Sequence, residues 1–166
     1  IPADERTAFV EFARTEAAEL AAPWGTPFHP PTNLPAQPTP LIGRDADVAA
    51  LRKRLLQHQS RLLTLTGPPG IGKTRLSIEA ARTALHDFRE GVFFVALAPL
   101  GDPTFIALAV AQSLGFVEAK NISTTEQLKA GIGDKNLLLV LDNCEHLIEE
   151  IASFVSDLLS ACSRLK

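Results

Sequence analysis

Residues 67 to 74, Gly67-Pro68-Pro69-Gly70-Ile71-Gly72-Lys73-Thr74, bring glycines, a lysine and a hydroxyl together at a spacing suited to holding a chain of phosphates. Glycines let the backbone curl so that successive N–H groups point inward at β- and γ-phosphate oxygens, a concavity that a Cβ at Gly70 or Gly72 would obstruct. Lys73 supplies a mobile point charge to the same oxygens, and the Thr74 hydroxyl is placed to bind Mg²⁺. The run fits G-x-x-x-x-G-K-[ST] in full. A plain turn between a strand and a helix does not need Gly-Lys-Thr at its exit. All eight residues are therefore candidate nucleotide ligands, with Lys73 also a candidate catalytic charge.

A second constellation follows about sixty residues later. Leu137-Leu138-Leu139-Val140-Leu141-Asp142 is a continuous apolar run ending in an acid, and a carboxylate at the carboxyl end of a buried parallel strand can hold Mg²⁺ directly or through its water. Asp142 and Thr74 are thus the candidate metal residues. Glu145, within one short turn of Asp142, is a candidate for polarising an attacking water; it also reads as an acid at the start of the next helix, where the dipole favours it. His146 reads as a helix-start or packing residue and Cys144 as a small filler, since no metal-type or Cys-His spacing accompanies them.

These residues need elements to place them. Arg61 to Thr66 is a short, mostly apolar run predicted to be a buried strand that stops at Gly67. After the loop, Leu76, Ala80, Ala84 and Phe88 recur at four-residue intervals on one helical face. Gly91 to Leu97 predicts a further strand closed by Pro99. Asp102-Pro103 starts a helix that Gly115 stops, and Ser123-Thr124-Thr125-Glu126 is a capping box for a short helix to Ile132. Leu147 to about Ala161 completes an amphipathic helix. Alternating β and α segments imply an α/β fold, a parallel sheet sandwiched by helices with its ligand at the carboxyl edge of the strands.

Upstream, Asp45 to about His58 predicts a helix with Val48, Leu51 and Leu55 inward and Asp45 as cap or first-turn acid. Residues 23–40 carry prolines too densely for helix or central strand and read as a stiff linker. Ala3 to Ala22 reads as one amphipathic helix, either a tail of a preceding domain or a helix packed on this one. Residues 41–166 then form the nucleotide-binding domain.

With 46% hydrophobic and 21% charged residues the 166-residue chain has the composition of a soluble globular domain, and a formal charge of -3 gives no overall basic field for nucleic acid. No apolar run reaches the length of a membrane span and no signal-peptide pattern opens the chain, so cytoplasm is the expected compartment. Cys144 and Cys162 are separated by roughly 27 Å along the proposed helix, at about 1.5 Å per residue, too far to bond. A chain that begins at Ile1 and contains no Met is expected to be a piece of a longer protein.

In combination, Pro-Leu-Ile-Gly-Arg at 40–44, Leu-Thr-Gly-Pro-Pro-Gly-Ile-Gly-Lys-Thr-Arg-Leu at 65–76 and Leu-Leu-Val-Leu-Asp-Asn-Cys-Glu-His-Leu at 138–147 resemble the STAND class of P-loop NTPases, related to the NB-ARC ATPases. The likeness is to large bacterial regulators in which a nucleotide switch joins a DNA-binding domain to helical repeats. It implies an ASCE-type P-loop core binding ATP or ADP with Mg²⁺, slow hydrolysis and ATP-driven self-assembly. It places Ile42, Gly43 and Arg44 on the adenine side, Gly67 to Thr74 at the phosphates and Asp142 at Mg²⁺; Arg75, next to the loop in the chain, is a further candidate cofactor residue. Asn143 stands where many relatives have a second acid, which puts the base in doubt. The resemblance also implies an Arg-bearing segment, a winged-helix region and ligand-sensing repeats outside these residues. Other classes fit the loop too: a constitutive P-loop ATPase or kinase, or a non-hydrolysing nucleotide scaffold.

Overall fold

A run such as Leu137 to Leu141 offers apolar side chains on both faces of an extended chain, so it is stable as a strand only where both faces are covered. The computed structural model, which describes residues 28–117 and 121–166, shows that cover. Two parallel strands, β1 (Val92–Ala96) and β2 (Leu138–Asp142), pair in register from Val92 opposite Leu138 to Ala96 opposite Asp142. The helices are α1 (Asp45–Leu55), α2 (Lys73–Thr83), α3 (Ile106–Ser113), α4 (Thr124–Ile132) and α5 (Ile148–Ala161). None of the helices among the described residues is long and apolar enough to cross a membrane.

Side chains alternate along a strand, and the core divides accordingly. Val92, Leu138 and Val140 pack with Ala81 of α2 and with Ala84 and Phe88 just beyond it. Val95, Phe93, Leu139 and Leu141 join the second cluster, built on Ile106 and Val110 of α3, Leu128 and Ile132 of α4, and Ile151 and Leu158 of α5. Leu128, Val110 and Ala84 are fully buried; each Leu or Val so buried contributes about 1.5–3 kcal/mol of transfer free energy. The helix starts follow their caps. The Asp102 carboxylate accepts from Thr104 N at 2.9 Å, and Ser123 Oγ accepts from Glu126 N at 3.2 Å.

At the N-terminal side, α1 ends at Leu55, short of the expected His58, and Arg44 occupies its N-cap while Asp45 and Asp47 lie in the first turn. Arg52 fastens α1 to the end of α2 through the Thr83 carbonyl at 3.0 Å and Asp87 at 2.6 Å.

The expected strand over Arg61–Thr66 is not in the sheet. Its residues alternate between half-buried and exposed, the pattern of an extended segment, but no ladder reaches them among the described residues. The reason lies at the other edge of β2, where the Lys166 main chain donates to Leu137 O at 3.0 Å and accepts from Leu139 N at 2.8 Å. Lys166 thus occupies the edge opposite β1. Arg61 is tied to the carbonyls of Cys162 and Leu165, next to that residue and not to β2.

The expected Ala3–Ala22 helix, Trp24 and the start of the proline-rich stretch lie outside the described residues. What is described of that stretch lies along the free edge of β1. Pro31 O accepts from Val92 N at 3.1 Å, and Thr32 bridges Val92 in parallel sense. Asn33 completes the pairing with its side chain, donating to Phe94 O at 2.9 Å and accepting from Phe94 N at 2.6 Å. A carboxamide carries one acceptor and a donor group, as a peptide does, so it can pair with a strand edge where prolines leave no N–H to offer. The edge of β1 is thereby capped.

Asn33→Ala removes both bonds and is expected to lower stability by about 1–3 kcal/mol, at roughly 0.5–1.5 kcal/mol per bond. Gly91→Ala, with φ +112° and a Cβ that would run into Pro31 O, is expected to cost about 1–3 kcal/mol as well. Urea unfolding midpoints measure both. An unchanged midpoint for Asn33→Ala would mean that the amide does not hold the strap.

Candidate functional site

The phosphate loop joins the extended 61–66 segment to α2. Gly70 and Gly72 have φ of +78° and +91°, a left-handed backbone that side-chain-bearing residues rarely adopt. A Cβ on either would meet nothing within 4 Å. Packing therefore does not demand glycine there; the backbone angles do, and the space that a Cβ would enter lies open. Gly72 is the N-cap of α2, and its carbonyl accepts the first bond from Leu76 N at 2.9 Å. Among the described residues no oxygen accepts from the N–H groups of Gly70, Ile71 or Gly72, which leaves a cluster of donors at a helix N-terminus, an arrangement that suits anions. Lys73 Nζ lies over the loop, donating to Gly67 O at 3.0 Å and Pro68 O at 3.2 Å.

The decisive contact joins α2 to β2. Thr74 Oγ1 donates to the Asp142 carboxylate, at 2.8 Å from Oδ1 and 3.1 Å from Oδ2. The two candidate metal residues are therefore in direct contact, at the carboxyl end of β2 and the amino end of α2. A hydroxyl and a carboxylate are hard oxygen donors of the kind Mg²⁺ takes. Among the described residues no group of three or more His, Cys, Asp or Glu is gathered as a metal site.

Beyond Asp142 the chain turns sharply. Asn143 has φ +58°, and asparagine is among the few residues that tolerate this region. Glu145 follows in an exposed turn with no hydrogen bond or ion pair among the described residues. His146 Nε2 lies 2.9 Å from Leu100 O, so it fastens the turn to the loop after β1. Burial pushes the Cys144 thiol up, and the carboxylates of Glu145 and Asp142 push it further; it stays protonated at neutral pH, as a filler would.

The Leu41–Arg44 segment borders the loop. Arg44 donates through Nη2 to Ile71 O at 2.9 Å and pairs through Nη1 with Asp47 at 2.8 Å. Gly43 has φ +72°, and Ile42 is 87% exposed. Arg75, grouped with the loop from its place in the chain, directs Nη2 to the Thr39 carbonyl at 2.7 Å, the Thr39 hydroxyl at 3.0 Å and Pro40 O at 3.3 Å. Sequence spacing gave no sign of these long-range arginine contacts, nor of the one His146 makes. A groove of about 350 Å³ adjoins the site, lined by Arg44, Leu51, Leu65, Ile71 and Leu76 among others.

Thr74→Val removes the hydroxyl and keeps the shape. We expect it to lower stability by about 1–2 kcal/mol, with Thr74→Ser close to wild type, because a bond to a charged acceptor is lost in one and kept in the other. Chemical unfolding of the three proteins checks this, and a valine variant as stable as wild type would contradict it.

A family model described as an AAA domain matches residues 55–165. A candidate HTH-type transcriptional regulator of Mycobacterium tuberculosis (strain ATCC 25618 / H37Rv) is 42% identical over 112 residues, covering 68% of this chain and 12% of the relative. An uncharacterized protein of the same strain is 35% identical over 127 residues, covering 76% of this chain and 32% of the relative. The regulatory protein AfsR of Streptomyces griseus is 26% identical over 124 residues, 68% of this chain and 13% of its own. The chain thus matches less than a third of the length of each. No solved structure is significantly similar to it.

Proposed function

The chain belongs to the AAA domain family of P-loop NTPases, and from that membership we propose that residues 41–166 are the ATP/ADP-binding switch of a signal-transduction regulator. The observation that carries this reading is the contact of Thr74 with Asp142 beside a loop in which the N–H groups of Gly70, Ile71 and Gly72 have no acceptor among the described residues. The names of the relatives, regulators that extend far beyond the matched part, support the regulatory role.

On this reading the amides of residues 70–74 and the Lys73 ammonium receive the β- and γ-phosphates. Thr74 and Asp142 hold Mg²⁺, which when bound neutralises charge on the phosphate oxygens. Ile42, Gly43 and Arg44 form the adenine side. Glu145 orients water for a slow hydrolysis that resets the switch. ADP holds the protein closed, and exchange for ATP opens it and permits self-assembly. The finer assignment is to the STAND class, NB-ARC-like, with an ASCE-type core. A further strand of such a core would pair with β2 on the side away from β1; the Lys166 pairing with Leu137 and Leu139 supports this. DNA-binding and helical-repeat sensor domains would lie elsewhere in the full chain, residues 1–22 being the tail of a preceding domain.

A second reading, a nucleotide scaffold without hydrolysis, draws on Asn143 and on Glu145, exposed and without a partner among the described residues. In the full-length protein Lys73→Ala should weaken ATP binding by about a hundredfold or more, measured by isothermal titration. Glu145→Gln should leave binding intact and slow single-turnover hydrolysis by about 10²-fold. An unchanged rate in Glu145→Gln would remove it as the base, and no hydrolysis by wild type would favour the scaffold.

A further inference from the structure

Arg75 sits one residue beyond Thr74, in the first turn of α2, yet its side chain is committed to the strap. Its Nη2 engages the carbonyl and hydroxyl of Thr39 and the carbonyl of Pro40. Five residues after Thr39, Arg44 returns the connection by donating to Ile71 O in the phosphate loop. The short segment between is thus pinned at both ends to a single unit made of the loop and the start of α2. Between the pins stand Gly43, with its left-handed backbone, and Ile42, 87% exposed. An apolar side chain so exposed gains nothing from folding; what the two pins do is fix where it stands beside the loop. Farther along the strap, Arg82 of α2 holds Pro35 O at 2.8 Å, so the same helix grips the chain again.

We propose that Arg75 is a positioning residue for the nucleotide base: it sets the Leu41–Arg44 segment against the phosphate loop and does not itself bind phosphate. The inference rests on the nucleotide reading above and deepens it. Without the Thr39 pin the segment must be ordered when the base binds, and that ordering is subtracted from affinity. A ligand with phosphates and no base does not use the segment and is indifferent to it.

The test compares ATP with inorganic tripolyphosphate, titrated calorimetrically into the full chain with Mg²⁺. For Arg75→Ala we expect about tenfold weaker ATP binding and tripolyphosphate binding within about twofold of wild type. Amide hydrogen exchange at residues 41–44 should accelerate in the same variant without ligand. Arg75→Lys, which keeps the charge but loses the planar fork, should show a smaller loss for ATP only, and it serves as the test variant if Arg75→Ala does not fold. Equal weakening for both ligands would put the guanidinium on the phosphates and overturn the proposal. Unchanged affinity for both would overturn it too. Wild-type protein that binds neither ligand would remove the nucleotide reading on which the proposal stands.

Discussion

Thr74 and Asp142 lie 68 residues apart in the chain and share one hydrogen bond at the point where a helix begins and a strand ends. Holding them there constrains nearly everything else. β2 must be buried on both faces so that its last residue is delivered at a fixed height, and the two hydrophobic clusters provide that burial. α2 must start where the glycine loop stops, and its register must set Ala81, and Ala84 just beyond its end, against the sheet, where each is almost wholly buried. Small side chains let the helix approach β2 closely. The contact is thus a product of packing on α2 as much as of the residues that make it.

The proline-rich strap gives the domain a second set of constraints from its N-terminal side. Prolines protect a sheet edge because they lack the N–H that a further strand would seek, and Asn33 supplies the pairing that they cannot. Arginines do the remaining fastening. Arg52 reaches a backbone carbonyl of α2, Arg75 and Arg82 reach carbonyls of the strap, and Arg44 reaches the loop itself. A guanidinium offers several donors in a rigid plane and stays charged, so it can bind carbonyls at an exposed position where a single neutral bond would contribute little. On the proposed function, any displacement of the strap is felt at the site.

Much of this was legible in the residues. The glycine-lysine-threonine exit predicted the loop, the apolar run closing in Asp142 predicted the strand and its acid, and period-four alanines predicted which face of α2 is buried. Caps at Asp102 and Ser123 predicted where helices start. The failures share a cause. Pairing of Asn33 with Phe94 and of Arg75 with Thr39 depends on which segments meet across 61 and 36 residues, and no local pattern encodes that. The 61–66 run has a strand's composition but pairs with no strand among the described residues, since pairing belongs to two segments and composition to one. Asn143 reads in the sequence as a missing acid; its left-handed backbone gives asparagine a local conformational reason to stand there.

On the proposed function, Asp142 and Thr74 steady the metal of a nucleoside triphosphate held by residues 67–74. The most direct test is the Mg²⁺ dependence of ATP affinity in the full-length protein and in its Asp142→Asn variant, which keeps the shape and a hydrogen-bonding oxygen but loses the charge. Mg²⁺ should tighten ATP binding about tenfold or more in wild type and hardly at all in Asp142→Asn, with metal-free affinity equal or higher in the variant. An undiminished Mg²⁺ effect in Asp142→Asn would contradict that role.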